Sequence, residues 1–277
     1  EGSQKAAPPQ QKQEAEGLSG LMGSGVIIEE RKRTKRQTMK LSKRLEMIAS
    51  FVKPGSRLAD IGTDHGYIPI ALTERGVILS ALAMDVRKGP LERAREHIGE
   101  AGLAEQIETR LSDGLEKLKA GEADTVVIAG MGGELEIHIL EEGRHIWDSA
   151  AQWVLSPQSD LEHVRRYLLE HGFSIDREAM VKEDGKFYTI MDVAGPGRRD
   201  AADCSGWRES DYVYGKYLIE TADPVLKEFL EQEKKTVSGI FNSLNSRDTD
   251  SSKKRAGELK KKLDLIEEAQ YEMQGNN

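Results

Sequence analysis

Residues 58–72 read LADIGTDHGYIPIAL. Gly62 and Gly66 stand four apart, with Asp60, Asp64, His65 and Tyr67 around them. An apolar run closing on Asp-x-Gly reads as a strand entering a tight turn, and the apolar stretch after Tyr67 reads as a helix. A dinucleotide-binding turn would carry G-x-G-x-x-G and aim helix-start amides at a pyrophosphate. The spacing here is G-x-x-x-G, and Asp64 would repel a phosphate. A carboxylate attracts a cation instead. S-adenosylmethionine carries a sulfonium and an ammonium and no phosphate, and it suits this turn. The bland alternative is a tight βα turn that binds nothing.

Three further stretches place chemistry at strand ends. Asp85-Val86 closes ALAMDV, where an acid after a second strand accepts hydrogen bonds from both ribose hydroxyls, a device that NAD enzymes share. Asp113-Gly114 follows Ser112, either reading an adenine amino group or capping a helix from Leu115. Ala129, Gly130, Met131, Gly132 and Gly133 follow a fourth strand. Enzymes that methylate exocyclic amino groups often carry an Asn/Asp-Pro-Pro-aromatic tetrad here. This chain has none, and its glycines make an open, flat wall for a planar base, or only a tight turn. LSPQSD at 155–160 suggests no role for Ser156 or Gln158. His97, His138, His145, His163 and His171 lack zinc-type spacing, so no metal is assigned.

The elements that must position these residues follow from periodicity. A helix is expected over Leu41–Val52, with Lys40, Lys43 and Arg44 on its polar side. Strands are expected at Arg57–Ile61, Ser80–Asp85, Ile107–Leu111, Thr125–Ala129 and Trp153–Leu155. Helices are expected at Ile68–Arg75, Pro90–Ala101, Leu115–Lys119, Glu134–Glu142 and Asp160–His171. Alternation of this kind makes a parallel sheet covered on both faces. Phe173–Lys182 and Phe187–Val193 add an antiparallel pair around Asp184-Gly185. The expected fold is α/β: a Rossmann-like class I methyltransferase sheet of five parallel strands plus that pair.

GPGRRD at 195–200 breaks the pattern. Beyond it, Leu226, Leu230, Val237, Ile240 and Leu244, then Ala256, Leu259, Leu263, Ile266 and Met273, repeat at coiled-coil spacing. The expected division is 1–38, a disordered tail or cloning remnant, with Met39 as a natural start; 39–197, the donor-binding domain; and 198–277, a two-helix coiled-coil hairpin. RKRTKR at 31–36 is either a solvated tail or a phosphate-binding arm.

Together, DIGTDHGYIPI, MDV, SDGL, VIAGMGG and DYVYGKYL before a helical hairpin resemble the bacterial tRNA (adenine-22-N1)-methyltransferase family over about residues 39–275. The resemblance implies S-adenosylmethionine as cofactor and tRNA as substrate. It places Asp60, Gly62, Asp64, His65 and Tyr67 at the donor and active site, with Asp85, Asp113 and Gly130–Gly133 as cleft walls. Gly66, Val86, Gly114 and Ala129 complete the expected cofactor set. Asp64, His65 and Tyr67 are the expected catalytic group. By their own chemistry, Tyr67 would stack on or orient the base, or only pack at the helix start; Asp64 would face the growing charge or hydrogen-bond the amino group; and His65 would orient Asp64 or the donor carboxylate. Lys40, Lys43, Arg44, Lys260, Lys261 and Lys262 are candidates for RNA phosphates, although a run such as the last three also occurs as ordinary coiled-coil surface charge.

Composition bounds these expectations. The 277 residues carry a formal net charge of −8, which excludes a uniformly basic coat and leaves local patches. The single cysteine, Cys204, excludes an internal disulfide framework and suits a cytoplasmic location. No apolar run reaches the roughly 18–20 residues of a membrane span. Oligomeric state is left open. Another RNA, a small-molecule acceptor and a non-catalytic coiled-coil partner remain alternatives.

Overall fold

The computed structural model describes residues 39–198, 206–245 and 249–275. The tail at 1–38, its basic run and Cys204 lie outside them, and the expected boundary at 197/198 sits beside the undescribed 199–205. In chain order the elements are α1 (Lys43–Phe51), β1 (Arg57–Ile61), α2 (Tyr67–Glu74), β2 (Ser80–Asp85), α3 (Lys88–Glu100), β3 (Ile107–Leu111) and β4 (Thr125–Ala129). There follow α4 (Gly133–Glu142), β5 (Gln152–Ser156), α5 (Leu161–Glu170), β6 (Ser174–Glu183) and β7 (Lys186–Ala194). A π-helical turn, Asp211–Gly215, leads into α6 (Lys216–Glu220), α7 (Pro224–Asn245) and α8 (Asp250–Gly275).

One seven-stranded sheet runs in the order β3-β2-β1-β4-β5-β7-β6. β1 to β5 pair in parallel, and β7 inserts antiparallel between β5 and β6. The order reverses between β1 and β4, so a crevice opens at the carboxyl ends of these strands. β1 and β4 read eBBBB and BBBBi in burial, as strands covered on both faces must. One apolar cluster, with Leu115, Ile128, Trp153 and Phe173, fills one side of the sheet. A second, with Ile48, Leu58, Ile70 and Ala94, fills the other.

The expected helix at Leu115–Lys119 is not formed. Glu116 N–H donates to the Asp113 carbonyl and Leu118 N–H to the Leu115 carbonyl, a chain of three-residue turns. Five residues are too few to repay helix nucleation. Here buried Leu115 and Leu118 pin the turns to the core instead.

The C-terminal helices form the expected hairpin. Leu226, Leu230 and Val237 are buried with Leu259, Leu263, Ile266 and Met273. The seam loosens toward the turn: Ile240, expected within it, is 48% exposed. The hairpin joins the sheet through the same apolar cluster, which takes in Met180 and the half-buried Phe187. The α6 approach is held from below. Arg165 Nε donates to Glu178 Oε1 at 2.8 Å, and both side chains are almost fully buried. Arg165 Nη1 also donates to the carbonyls of Tyr212 and Val213, while Tyr217 N–H donates to Glu178 Oε2. Gly215 (φ +99°) is required there, because a Cβ would lie 2.7 Å from Glu178 Oε2.

Candidate active site

The β1 turn explains its own glycines. Gly62 (φ +74°) reverses the chain, and the N–H groups of Gly62 and Thr63 both donate to the Met84 carbonyl at 2.8 Å. These amides are spent on β2 and cannot cradle a phosphate. A Cβ on Gly62 would lie 2.1 Å from Met131 Cε, so the turn and the glycine wall after β4 interlock. Gly66 (φ +69°) starts α2 and packs it closely on α3: a Cβ there would meet the Ala94 methyl at 3.5 Å.

Two acids end neighbouring strands. Asp60 is 7% exposed, and burial pushes its carboxyl up to about 6; the Thr63 hydroxyl opposes this and Asp85 adds to it. Asp85, also buried, accepts the Arg87 backbone N–H at 2.7 Å. The guanidinium of Arg87 lies 3.7 Å away and is itself mostly exposed. The floor of the crevice is therefore short of positive charge.

Above it lies a cleft of about 410 Å³, of the size that takes a cofactor-sized ligand. The structure brings to its wall Gly62, Asp64, Asp85, Val86, Asp113 and Gly114 from the first three strand ends. Ala129, Gly130 and Met131 come from the fourth, and Arg44 from α1. Asp60 lies beneath the turn. His65, Gly66, Tyr67, Gly132 and Gly133 stand behind the wall rather than on it. Asp113 caps no helix and faces the cleft. Sequence reasoning assigned no part to Arg87, Ser112, Leu135, Ile139 or Gln158, all of which line it. Leu135, in the first turn of α4, is 49% exposed and lines the cleft, and nothing in the sequence singles it out. Val86, 57% exposed, is its counterpart across the cleft.

Asp64 is held on the rim by His65 Nε2 and Arg93 Nη2, each 3.4 Å from Oδ1. His65 itself is left-handed (φ +63°). Its ring lies nearly parallel to those of Tyr67 and His97, with centroids 5.1 and 5.3 Å away. His97 Nδ1–H donates to the His65 carbonyl at 3.0 Å. The tyrosine ring is thus already engaged in a three-ring cluster that fixes the turn.

Of the candidate RNA-binding cations, Lys260 pairs with Asp264 and Lys262 with Glu233, each at 2.7 Å. Among the described residues Lys40, Lys43, Arg44 and Lys261 have side chains within ion-pair reach of no carboxylate. Glu134, Asp160 and His163 converge on the surface, with ligand-type atoms within 4.8 Å of one another. There His163 Nδ1–H donates to Glu134 at 2.9 Å, which holds the imidazole above its usual range. No helix among the described residues is long and apolar enough to cross a membrane.

Comparison with known proteins agrees with this architecture. A methyltransferase-domain family model matches residues 41–191. The Bacillus subtilis tRNA (adenine(22)-N(1))-methyltransferase is 33% identical over 231 residues, covering 83% of this chain and 97% of the relative. The chain belongs to the tRNA (adenine(22)-N(1))-methyltransferase family. Among solved structures, the B. subtilis tRNA methyltransferase TrmK aligns with a TM-score of 0.74 at 33% identity, covering 83% of this chain and 99% of that one. A Streptococcus pneumoniae protein solved in complex with S-adenosyl-L-methionine aligns with a TM-score of 0.70 at 34% identity, with the same coverage. Within this family fold, the cleft lies at the switch point between β1 and β4.

Proposed function

We propose that this chain methylates N1 of an unpaired adenine in tRNA, at position 22, with S-adenosylmethionine as donor. The observation that carries the proposal is the cleft at the β1–β4 switch point in a chain of this family: two acids at its floor, amides already spent, and an open glycine wall. These features fit the donor. Asp60 and Asp85 offer negative charge to a cationic ligand, Asp85 accepts ribose hydroxyls, and Val86 and Leu135 give apolar faces to a planar ring. Asp113 is placed to accept from an amino group.

When bound, the donor supplies an electrophilic methyl that the N1 lone pair takes in one displacement. N1 carries no proton at neutral pH, so the chain needs no general base. Its work is positioning and charge. Gly130, without a side chain, lets the end groups of Arg44 and Gln158 reach over the wall, and Met131 closes the wall onto the β1 turn. Asp64, steadied by His65 and Arg93, stands where it can face the positive charge that grows on the base. The His65–Tyr67–His97 cluster supports a role for Tyr67 in holding Asp64 and His65 in place. Pairing hides N1, so the nucleotide must enter unpaired or flipped. Arg44, Lys40, Lys43 and Lys261 are the cations left open for its backbone. The proposed location is the cytoplasm, where tRNA is found.

Nucleoside mass spectrometry of unmodified tRNA incubated with protein and donor tests the proposal. Formation of 1-methyladenosine, lost when the target adenosine is replaced by guanosine, is expected. Its absence overturns the assignment.

A further inference from the structure

The loop after β5 has no part in the mechanism so far, yet its Gln158 lines the cleft beside Gly130 and Arg44. It is stitched to the glycine wall. Gly130 N–H donates to the Ser156 carbonyl at 3.2 Å and Gln158 N–H to the Met131 carbonyl at 2.8 Å. Gly133 N–H donates to Ser159 Oγ at 3.3 Å, and Ser156 Oγ to the Thr189 carbonyl at 3.0 Å. The backbone of Gln158 is therefore fixed, while its exposed side-chain amide has no hydrogen-bond partner among the described residues. A Cβ on Gly130 would sit 3.8 Å from Gln158 Nε2 and 3.5 Å from Arg44 Nη1. An amide and a guanidinium thus meet over the one flat patch of the wall.

Their chemistries divide the work. The product base is cationic, so a guanidinium against it would oppose the reaction. Arg44, with its guanidinium 5.0 Å from the Tyr188 ring centre, suits a phosphate. A neutral amide can hold the base without that penalty. A glutamine meets adenine through N6 and N7, accepting from one and donating to the other. That grip leaves N1 free, whereas any contact on the Watson–Crick edge would cover it. Guanine presents two acceptors on the same edge and leaves the amide oxygen unmatched.

We infer that Gln158 is the adenine-selecting residue of this site, its carboxamide reading the N6/N7 edge of the target base. The inference rests on the adenine N1 reading above. The test uses the full chain and tRNA carrying either adenosine or 7-deazaadenosine at the target position, with kcat/KM measured for wild type and Gln158→Ala. Because 7-deazaadenine lacks the N7 acceptor but has a more basic N1, the coupling between the two changes is read rather than either rate. Wild type is expected to prefer adenosine over 7-deazaadenosine by about tenfold more than Gln158→Ala does. S-adenosylhomocysteine should bind both proteins within about twofold, and a larger loss for Gln158→Ala would put its amide on the donor and overturn the role. The same preference in both proteins overturns the role of Gln158 while leaving the N1 assignment intact. No 1-methyladenosine from wild type on the adenosine substrate overturns both.

Discussion

The molecule buries carboxylates in two ways. Beneath the hairpin, Glu178 lies against Arg165 and a backbone amide, and Nη1 of Arg165 donates to two carbonyls. Burial raises the Glu178 carboxyl and Arg165 pulls it back. Beneath the cleft, Asp60 has no basic partner; burial and Asp85 raise it, with only the Thr63 hydroxyl opposing. Glu136 on α4 is the extreme case: fully buried, both oxygens unpartnered, and driven well above its usual range by desolvation alone. A satisfied acid stabilises a fixed arrangement, and an unsatisfied one is tolerated only where something else compensates. The first kind joins two parts of the chain, and the second lies next in sequence to residues that line the cleft, Ile61 beside Asp60 and Leu135 beside Glu136.

Breaking the satisfied pair should have the largest effect. Arg165→Ala leaves Glu178 buried with only the Tyr217 amide for a partner, and should lower the unfolding free energy by about 3–5 kcal/mol in urea titrations. Arg165→Met combined with Glu178→Leu should recover most of that loss, because paired removal leaves no stranded charge. A double variant as unstable as Arg165→Ala would show that shape, rather than charge, holds the π-helical turn in place.

The acids at the strand ends should report on the ligand. Asp85→Ala should weaken S-adenosylhomocysteine binding by about 1.5–3 kcal/mol in calorimetry, with little change in stability. Asp60 gives the sharper test through pH. Its folded pKa, about 6, lies above the value of 3.8 for a free aspartate. The folded state therefore holds the extra proton between these values, and the Asp60 contribution to stability falls as pH rises through that window. Over about two units the loss is roughly 3 kcal/mol. Asp60→Asn should remove that slope and raise the denaturation midpoint at pH 7 while leaving it nearly unchanged at pH 4. Donor binding should release up to about half a proton at pH 6, where Asp60 is half protonated, read from calorimetry in two buffers of different ionisation heat. The same release from Asp60→Asn would place the titrating group elsewhere.

The sheet was legible because each strand is a short apolar run bounded by turn residues; the predicted and observed limits of β1 to β4 coincide. The Leu115 turns were not, because five residues of helical composition do not reveal that Ser112, Leu115 and Leu118 are tied down individually. In the site, residues at strand ends were found because topology alone puts them in the crevice. Gln158 was missed because nothing local distinguishes it. Its position depends on Met131, 27 residues earlier, accepting its backbone N–H. Tyr67 was assigned to the base from its type. Its ring packing with His65 and His97 depends on α3, which periodicity locates only as a helix.

The smallest expected effect concerns the hairpin cations. Lys260 and Lys262 are already paired with Asp264 and Glu233, and Lys261 is not. Surface pairs of this kind contribute only about 0.2–1 kcal/mol, so a phosphate can recruit either lysine at modest cost. If the hairpin contacts tRNA, Lys261→Glu should lower affinity and reduce the log–log salt slope by about 0.7–0.9. Lys260→Glu should do less, because Lys260 is already paired with Asp264. Equal salt slopes for wild type and Lys261→Glu would confine the run to coiled-coil surface charge. Substrate grip would then rest with Arg44, which lines the cleft, and with Lys40 and Lys43 beside it in the chain, on the same side of the comparison as the strand-end acids.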